Sequence, residues 1–253
     1  MKLKAKFLKI IKPIIFFFVK YECTICNVEL KQRNAICFDC NRKMGVVDQS
    51  SICEKCGRFC LVNSCIFCLQ NPPLFNFART VCVYNGESST VIKAFKYYSN
   101  SLCGEFMVQK MTHILQTQFP IEQIDIVTSV PMSWLKEYFK GRNHASQLAI
   151  KIAKNVGIKC DTNILKRRFK FKRQALLNQQ QRRENVIGVF KARKNIFGKT
   201  VLIIDDTITT GSTLNECTKA LLNAGANGVF VLTFAKSIAD EQIFNNSLHQ
   251  TSL

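Results

Sequence analysis

Two adjacent carboxylates and a hydroxyl-rich loop lie within one short run, V-L-I-I-D-D-T-I-T-T-G-S-T, which occupies Val201–Thr213. The backbone N–H groups and hydroxyls of such a loop can surround a phosphate, and the helix predicted over Leu214–Asn223 adds the positive end of its dipole. Carboxylates repel phosphate, so they are expected to accept hydrogen bonds from sugar hydroxyls. A phosphate beside a diol describes a ribose 5-phosphate. The residues predicted to bind it are Asp205, Asp206, Thr209, Thr210, Gly211, Ser212 and Thr213.

This run matches neither G-x-x-x-x-G-K-[ST] nor G-x-G-x-x-G, the two better-known phosphate loops. Its four leading apolar residues predict a strand buried on both faces of a parallel sheet, with the acid pair closing the strand at its carboxyl end. The competing interpretation is an ordinary strand that ends in an Asp-rich turn and a Ser/Thr helix cap.

Metal chemistry is indicated by the cysteines, of which there are thirteen. Eight form four C-x-x-C pairs, and two such pairs can complete one tetrahedral Cys₄ zinc site. The predicted ligands of about two Zn²⁺ ions, in a double zinc ribbon, are Cys23, Cys26, Cys37, Cys40, Cys53, Cys56, Cys65 and Cys68. Sequential and interleaved pairing both remain open, and Cys60 competes as a ligand. A redox role for the pairs is the rival hypothesis, and the other four cysteines are expected to be small core residues.

Strands and helices alternate beyond the prolines of Gln70–Pro73, which predicts an α/β domain with a parallel sheet. The strands are expected at 78–84, 124–130, 187–191 and 201–204, with 228–235 closing the sheet. The helices are expected at 88–114, around 144–155 and at 214–223. The domain boundaries that follow are a basic and apolar N-terminal segment (1–20), a double ribbon (21–70), an α/β domain (71–238) and a C-terminal tail (239–253).

The acid–hydroxyl run resembles the D-D-x-x-T-T-G-x-T loop that binds phosphoribosyl pyrophosphate (PRPP) in type I phosphoribosyltransferases. Together with the cysteine module, the whole chain resembles the ComF family, whose members join a Cys-rich ribbon to such a domain. Further stretches carry the likeness: Thr128–Met132 matches V-P-V-P-[LM], Lys140–Ala145 matches R-G-[FY]-N-Q-A, and Gln174–Val186 matches Q-S-x-L…R-x-x-N-V. Ser129, Arg142, His144 and Ala175 depart from these patterns. The resemblance implies a type I phosphoribosyltransferase-like sheet with an N-terminal zinc ribbon module, and Mg²⁺ accompanying PRPP.

In related transferases a mobile loop closes over the site, and the polar, basic segment Lys166–Asn185 has the composition of such a loop. Its candidate pyrophosphate ligands are Lys172, Arg182 and Arg183, although a solvated basic helix is an equal alternative. His144 replaces a glutamine of the family pattern, so a positional role is expected for it rather than a catalytic one. No catalytic residue and no hood for a purine or pyrimidine can be identified.

Positive charge is concentrated in one part of this chain of formal charge +19. Between Lys136 and Lys194, 17 Lys and Arg residues stand against three acids, a net of +14. Such a patch attracts polyanions, although a merely solvated basic face is the alternative. The N-terminal apolar run Ile14–Val19 is too short to span a bilayer. It also lacks the small-residue cleavage site of a secretory signal, so we expect a cytoplasmic protein. A basic segment of this kind can also contact a membrane surface, which leaves membrane association open.

Two functions remain open at this point. The ComF resemblance implies a protein of DNA uptake and natural transformation that has a PRPP pocket and handles single-stranded DNA. Its expected partners are PRPP or a nucleotide phosphate, single-stranded DNA, and a DNA-uptake helicase or another competence protein. The alternative is an active Mg²⁺-dependent phosphoribosyltransferase of nucleotide metabolism or salvage, with an acceptor that the sequence does not identify.

Overall fold

The computed structural model describes residues 20–60, 62–132, 143–167, 188–193 and 196–237. Its strands are β1 (Tyr21–Glu22), β2 (Glu29–Leu30), β3 (Phe77–Val83), β4 (Ile126–Ser129), β5 (Lys159–Cys160), β6 (Leu165–Arg167), β7 (Phe190–Ala192), β8 (Thr200–Ile208) and β9 (Gly228–Lys236). Its α-helices are α1 (Phe38–Lys43), α2 (Ile66–Gln70), α3 (Gly86–Tyr97), α4 (Ser101–Gln118), α5 (His144–Val156) and α6 (Ser212–Leu222). None of these helices is both long and apolar enough to cross a membrane.

Five parallel strands form the main sheet in the order β3-β9-β8-β4-β5. Side chains alternate between the two faces along β8, so Leu202 and Ile204 pack with α3, α4 and α5. On the other face, Val201 and Ile203 pack with α6 and with the antiparallel pair β6–β7. Both faces of β8 are therefore buried, as the run of apolar residues predicts.

The connections reverse direction between β4 and β8. From β4 the chain passes through α5 to the edge strand β5, whereas from β8 it passes through α6 on the opposite face to β9. Two neighbouring parallel strands whose connections diverge in this way leave a crevice outside their carboxyl ends, and open α/β sheets bind ligands there. The topology alone thus identifies the carboxyl ends of β4 and β8 as the expected place for a ligand.

The cysteine-rich module covers the free edge of β3. Val47 N donates to Val81 O at 3.0 Å, and Val83 N donates to Gly45 O at 3.0 Å, so residues 45–47 extend the sheet by one short antiparallel segment. Farther along the edge, Ala78 N donates to Lys55 O at 2.9 Å. Gly57 sits against the same strand with φ +66°, and a Cβ there would lie 2.7 Å from Ala78 O. Hydrogen bonds of this kind protect an edge strand from pairing with another chain.

Several elements differ from the sequence predictions. The helix expected over 88–114 is two helices, α3 and α4, because Ser99 has φ +51° and the side chain of Asn100 caps α4. β8 does not end at the acid pair but runs on to Ile208. β9 does not close the sheet at its edge, since it lies between β3 and β8, and β5 forms the edge that was not predicted. The described part of the strand expected at 187–191 is β7, which pairs with β6 outside the parallel sheet.

Candidate functional site

The acid pair lies near the carboxyl end of β8, at the crevice between β4 and β8. Alternation along the strand directs Asp205 toward the α6 face and Asp206 toward the α3 face. Burial, then the neighbouring charge of Asp206, raises the pKa of Asp205 well above its ordinary value, although the Asp206 N–H and Lys96 oppose this rise. The Asp206 N–H donates to Asp205 Oδ1 at 2.9 Å. Because the charge of Asp206 opposes ionisation of Asp205, the pair favours a ligand that brings hydroxyl donors or a cation.

Asp206 is almost fully buried and is held from two sides. The ammonium of Lys96, in the last turn of α3, lies 2.7 Å from Asp206 Oδ1. The hydroxyl of Thr207 donates to the same oxygen at 2.8 Å. The hydroxyl of Thr207 therefore helps to hold the Asp206 carboxylate in place.

Gly211 shapes the loop that follows. It has φ +80° and ψ −1°, a left-handed conformation that strains any residue with a Cβ, although the nearest atom to such a Cβ would be a comfortable 3.6 Å away. The first helical bond of α6 is donated by Asn215 to Gly211 O at 2.9 Å, so the N–H groups of Thr213 and Leu214 point out of the helix toward the loop. The Thr210 and Ser212 hydroxyls lie 2.9 Å apart beside them. N–H groups and hydroxyls therefore converge as a phosphate cradle requires.

A second predicted motif meets the first one across the crevice. Val130, just past β4, donates its N–H to Ile204 O at 3.1 Å, and its carbonyl accepts from Asn143 Nδ2 at 3.1 Å. The Asn143 side chain also caps α5, and the Ser129 and Ser146 hydroxyls are 2.9 Å apart. The stretches 128–132 and 143–145 are thus brought together next to β8.

The base of the predicted mobile loop lies next to α6. Lys166 and Arg167, expected to begin the loop, belong to β6, which pairs with β7. Just before β7, Gly188 N donates to Glu216 Oε2 of α6 at 2.8 Å. The two ends of segment 168–187 are therefore held on the α6 face of the sheet. The segment itself, with Lys172, Gln174, Ala175, Arg182 and Arg183, lies outside the described residues, as do Lys140, Gly141 and Arg142.

The eight predicted cysteine ligands form two groups of four, and in each group all sulfur atoms lie within 4.8 Å of one another. The first group is Cys23, Cys26, Cys37 and Cys40, and the second is Cys53, Cys56, Cys65 and Cys68. Sequential pairing is therefore correct, and Cys60 is not among the grouped ligands. The Cys26–Cys37 and Cys56–Cys65 sulfur atoms are 3.8 and 3.6 Å apart. Zn–S bonds of about 2.3 Å in a tetrahedron require roughly 3.8 Å, so both groups fit Zn²⁺.

Thiolate character and nearby cations also fit a bound metal. Although burial raises the pKa of the Cys23 thiol, backbone N–H groups of Cys26, Cys37 and Ile25 lower it to about 6, whereas burial keeps the pKa of Cys40 above its ordinary value. A Zn²⁺ held by four thiolates carries a net charge of −2. Around the second group, Lys236 Nζ donates to Cys56 O at 2.7 Å, the Arg79 guanidinium donates to Glu54 O at 2.9 Å, and Arg58 is buried over the Phe67 ring. These cations offset that charge.

Comparison with known proteins agrees with this two-part construction. The model of the phosphoribosyl transferase domain matches residues 140–242. "DNA utilization protein YhgH" of Escherichia coli strain K12 is 25% identical over 223 residues, covering 85% of this chain and 97% of that protein. "Competence protein F" of Haemophilus influenzae is 25% identical over 229 residues, covering 87% of this chain and 99% of that protein. These relatives match along nearly their whole length, ribbon and sheet together. The chain therefore resembles the ComF proteins over most of its length.

Among solved structures, the chain is similar to the glutamine PRPP amidotransferase of B. subtilis, solved with ADP and GMP. The identity is 23%, the TM-score is 0.38, and the match covers 56% of this chain and 30% of the amidotransferase. The chain therefore spans less than a third of that enzyme. The fold is a type I phosphoribosyltransferase-like parallel sheet with an N-terminal, Cys-rich zinc ribbon module.

Lys96 is a residue of the candidate site that the sequence did not reveal, because it pairs with Asp206 across the fold. It is one of 36 Lys and Arg residues and lies 109 positions before the acid pair, so no local motif marks it. By contrast, His144 was expected to have a positional role. It is buried and packs edge-to-face on Phe95, with ring centroids 5.3 Å apart. α3 thus contacts both site motifs, through Phe95 and through Lys96.

Proposed function

We propose that this protein binds PRPP, or a nucleotide through its ribose 5-phosphate, in the crevice between β4 and β8. The observation that carries the proposal is the meeting of the acid pair with the outward N–H groups of α6 at the reversal point of the sheet. The loop Thr209–Thr213 would hold the 5-phosphate, and Asp205 and Asp206 would accept the ribose hydroxyls. Mg²⁺ arriving with PRPP would neutralise part of the pyrophosphate charge.

Isothermal titration of the full chain with PRPP and Mg²⁺ tests the pocket. We expect Asp206→Ala to weaken binding by about 10- to 100-fold, because hydrogen bonds to a charged group are worth about 1.5–3 kcal/mol. Asp125→Ala is the matched control, since Asp125 is also paired with a lysine, Lys199 at 2.9 Å, but before β4, at the amino ends of the strands. Equal affinities of wild type and Asp206→Ala, or no binding by either, would exclude this pocket.

We further propose that the protein handles single-stranded DNA in DNA uptake, as the names of its relatives speak of DNA utilization and competence. A groove of about 830 Å³ runs between α4 and α5 and supports this role. It is lined by Lys110, Lys151, Lys154 and His113, together with amide side chains. Its acid, Glu105, is 3.5 Å from Arg33 and is thereby offset. Cations in a row along two helices fit a phosphodiester backbone.

Salt dependence distinguishes phosphate binding in this groove from general attraction to a basic protein. We expect Lys110→Gln, Lys151→Gln and Lys154→Gln, combined, to reduce the slope of log affinity against log salt by about 2, at roughly 0.7 per lost phosphate contact. The measurement is fluorescence anisotropy of a labelled oligo(dT) between 50 and 200 mM salt.

The control for this triple variant removes three exposed lysines elsewhere, Lys31, Lys43 and Lys219, and so carries the same net charge. The same slope in both triple variants would show that net charge, and not the groove, determines binding. An unchanged slope in the groove variant would also contradict DNA binding in the groove.

A transferase that uses PRPP as its electrophile is the second candidate function, favoured by the intact acid pair and cradle. Such a transferase must also exclude water from the reacting carbon. Release of pyrophosphate from PRPP in the presence of nucleobases or nucleotides tests this function, and its absence with every acceptor would favour a binding role.

A further inference from the structure

We propose that Lys96 bridges Asp206 to the pyrophosphate of PRPP and thereby makes the pocket prefer the pyrophosphorylated sugar over ribose 5-phosphate. This inference rests on the proposed pocket. It proposes that α3, through Lys96, contacts the pyrophosphate of PRPP. Lys96 would be a binding and specificity residue whose place in the sequence gives no hint of that role.

The position of Lys96 is fixed by packing on both sides of the last turn of α3. Phe95 is buried between the His144 ring and Gly104 of α4, where a Cβ would come within 2.8 Å of the Phe95 ring. α3 is therefore held against α4 and against the start of α5. The side chain of Lys96 is 27% exposed, so it is anchored at Asp206 yet still open to the crevice.

The hydrogen-bond pattern leaves room for a bridge. Both side-chain contacts that the structure gives Asp206, from Lys96 and from Thr207, are made to Oδ1. Oδ2 can then accept a ribose hydroxyl without displacing the lysine. An ammonium has three N–H donors, and the contact with Asp206 uses one of them. Within the described part of the chain no other ion pair of Lys96 is seen, so its remaining donors are available to a second anion.

The order of groups in PRPP indicates which anion that is. Its 5-phosphate and its pyrophosphate are attached at opposite ends of the ribose, and the hydroxyl next to the pyrophosphate is the one on C2. If the cradle Thr209–Thr213 holds the 5-phosphate and Asp206 holds the hydroxyls, the pyrophosphate lies on the far side of Asp206. Lys96 approaches Asp206 from the α3 side, away from the α6 face, to which the cradle belongs.

The charges of the carboxylates explain why a cation is needed between Asp206 and the pyrophosphate. A pyrophosphate brought next to two carboxylates is repelled by both unless a cation stands between them. Among the described residues, Lys96 is the cation within ion-pair distance of Asp206. A sugar that lacks the pyrophosphate does not meet this repulsion, so the effect of Lys96 should depend on the ligand.

The test compares two ligands on three variants of the full chain by isothermal titration. For Lys96→Gln we expect PRPP with Mg²⁺ to bind about 10- to 100-fold more weakly, the effect of losing a charge-assisted hydrogen bond. Ribose 5-phosphate should change by less than about threefold. Lys96→Arg keeps the charge and should retain most of the preference for PRPP. Lys93→Gln changes an exposed lysine of the same helix and should bind both ligands as wild type does.

The possible failures are distinct. If Lys96→Gln weakens both ligands equally, Lys96 only maintains the shape of the site and the bridge is wrong. If Lys96→Gln does not fold, Lys96→Arg decides: a folded Arg variant that has lost the preference for PRPP overturns the proposal. If wild type binds ribose 5-phosphate as tightly as PRPP, the bridge fails and the pocket stands. If wild type binds neither ligand, the pocket itself fails.

Discussion

Replacing Cys23 with serine is expected to destabilise the whole protein, whereas Cys53→Ser is expected to unfold mainly the second ribbon. Cys23 is fully buried and shares the main core with Met44, Val81 and Val91. Cys53 belongs to a separate cluster made of the second group of cysteines, with Cys60 and Phe67 at its margin. Loss of the first metal site therefore opens the core that supports α3, while loss of the second leaves that core closed.

The expected fall in melting temperature is about 10 °C or more for Cys23→Ser, since each kcal/mol shifts a domain of this size by about 2–4 °C. Thermal unfolding followed by circular dichroism measures it, and elemental analysis should find about two zinc per wild-type chain and about one per variant chain. Cys160→Ser is the control, because Cys160 lies outside both groups. Equal shifts for Cys23→Ser and Cys53→Ser would contradict the unequal roles, and two zinc in either variant would contradict the ligand sets.

The sequence predicted those parts of the site that lie within one continuous stretch. β8, the acid pair, the loop and α6 succeed one another along the chain, and each has a local signature in apolar runs, hydroxyls and glycine. The C-x-x-C pairs are local as well, and their spacing predicted the eight cysteines that form the two groups of four. The pairing of the groups depends on the path of the chain between them, so it became known only from the structure.

What the sequence could not predict depends on tertiary contacts. Lys96 reaches Asp206 because α3 packs against the sheet beside β8, and the chain turns after this helix at Ser99, where a residue other than glycine adopts φ +51°. A continuous helix over 88–114, which the apolar pattern favours, would carry the chain past the crevice. The docking of residues 45–57 on the edge of β3 likewise uses backbone hydrogen bonds, which side-chain patterns do not encode. The predicted mobile loop lies outside the described residues, so its role stays a prediction.

Asp205→Asn is expected to stabilise the fold and at the same time to weaken PRPP binding. Burial and the charge of Asp206 raise the pKa of Asp205 well above 3.8, which means that folding disfavours its ionised form. A group of this kind contributes stability that is present below the unfolded pKa and is lost as the pH rises through the folded pKa. Asparagine cannot ionise, so the stability gained by the variant should be larger at pH 8 than at pH 5.

Urea unfolding at the two pH values measures this difference, and Asp125→Asn supplies a control of opposite sign. The ammonium of Lys199 and the N–H of Thr200 lower the pKa of Asp125, so its contribution to stability is present above the unfolded pKa and is lost as the pH falls. Asp125→Asn should therefore lower the stability at pH 5 and at pH 8. A gain for Asp205→Asn that did not grow from pH 5 to pH 8 would mean that the folded protein does not oppose the ionisation of Asp205 in this range, which would contradict the raised pKa.

Opposite effects of one substitution on stability and on binding would show that Asp205 contributes to ligand binding at the expense of stability. The repulsion between two adjacent carboxylates costs stability in the empty crevice, and Lys96 offsets it only in part. Ribose hydroxyls, which bring hydrogen-bond donors, relieve the same repulsion when the sugar binds. PRPP should for this reason raise the melting temperature of wild type more than that of Asp205→Asn. Equal shifts would show that Asp205 does not take part in binding PRPP.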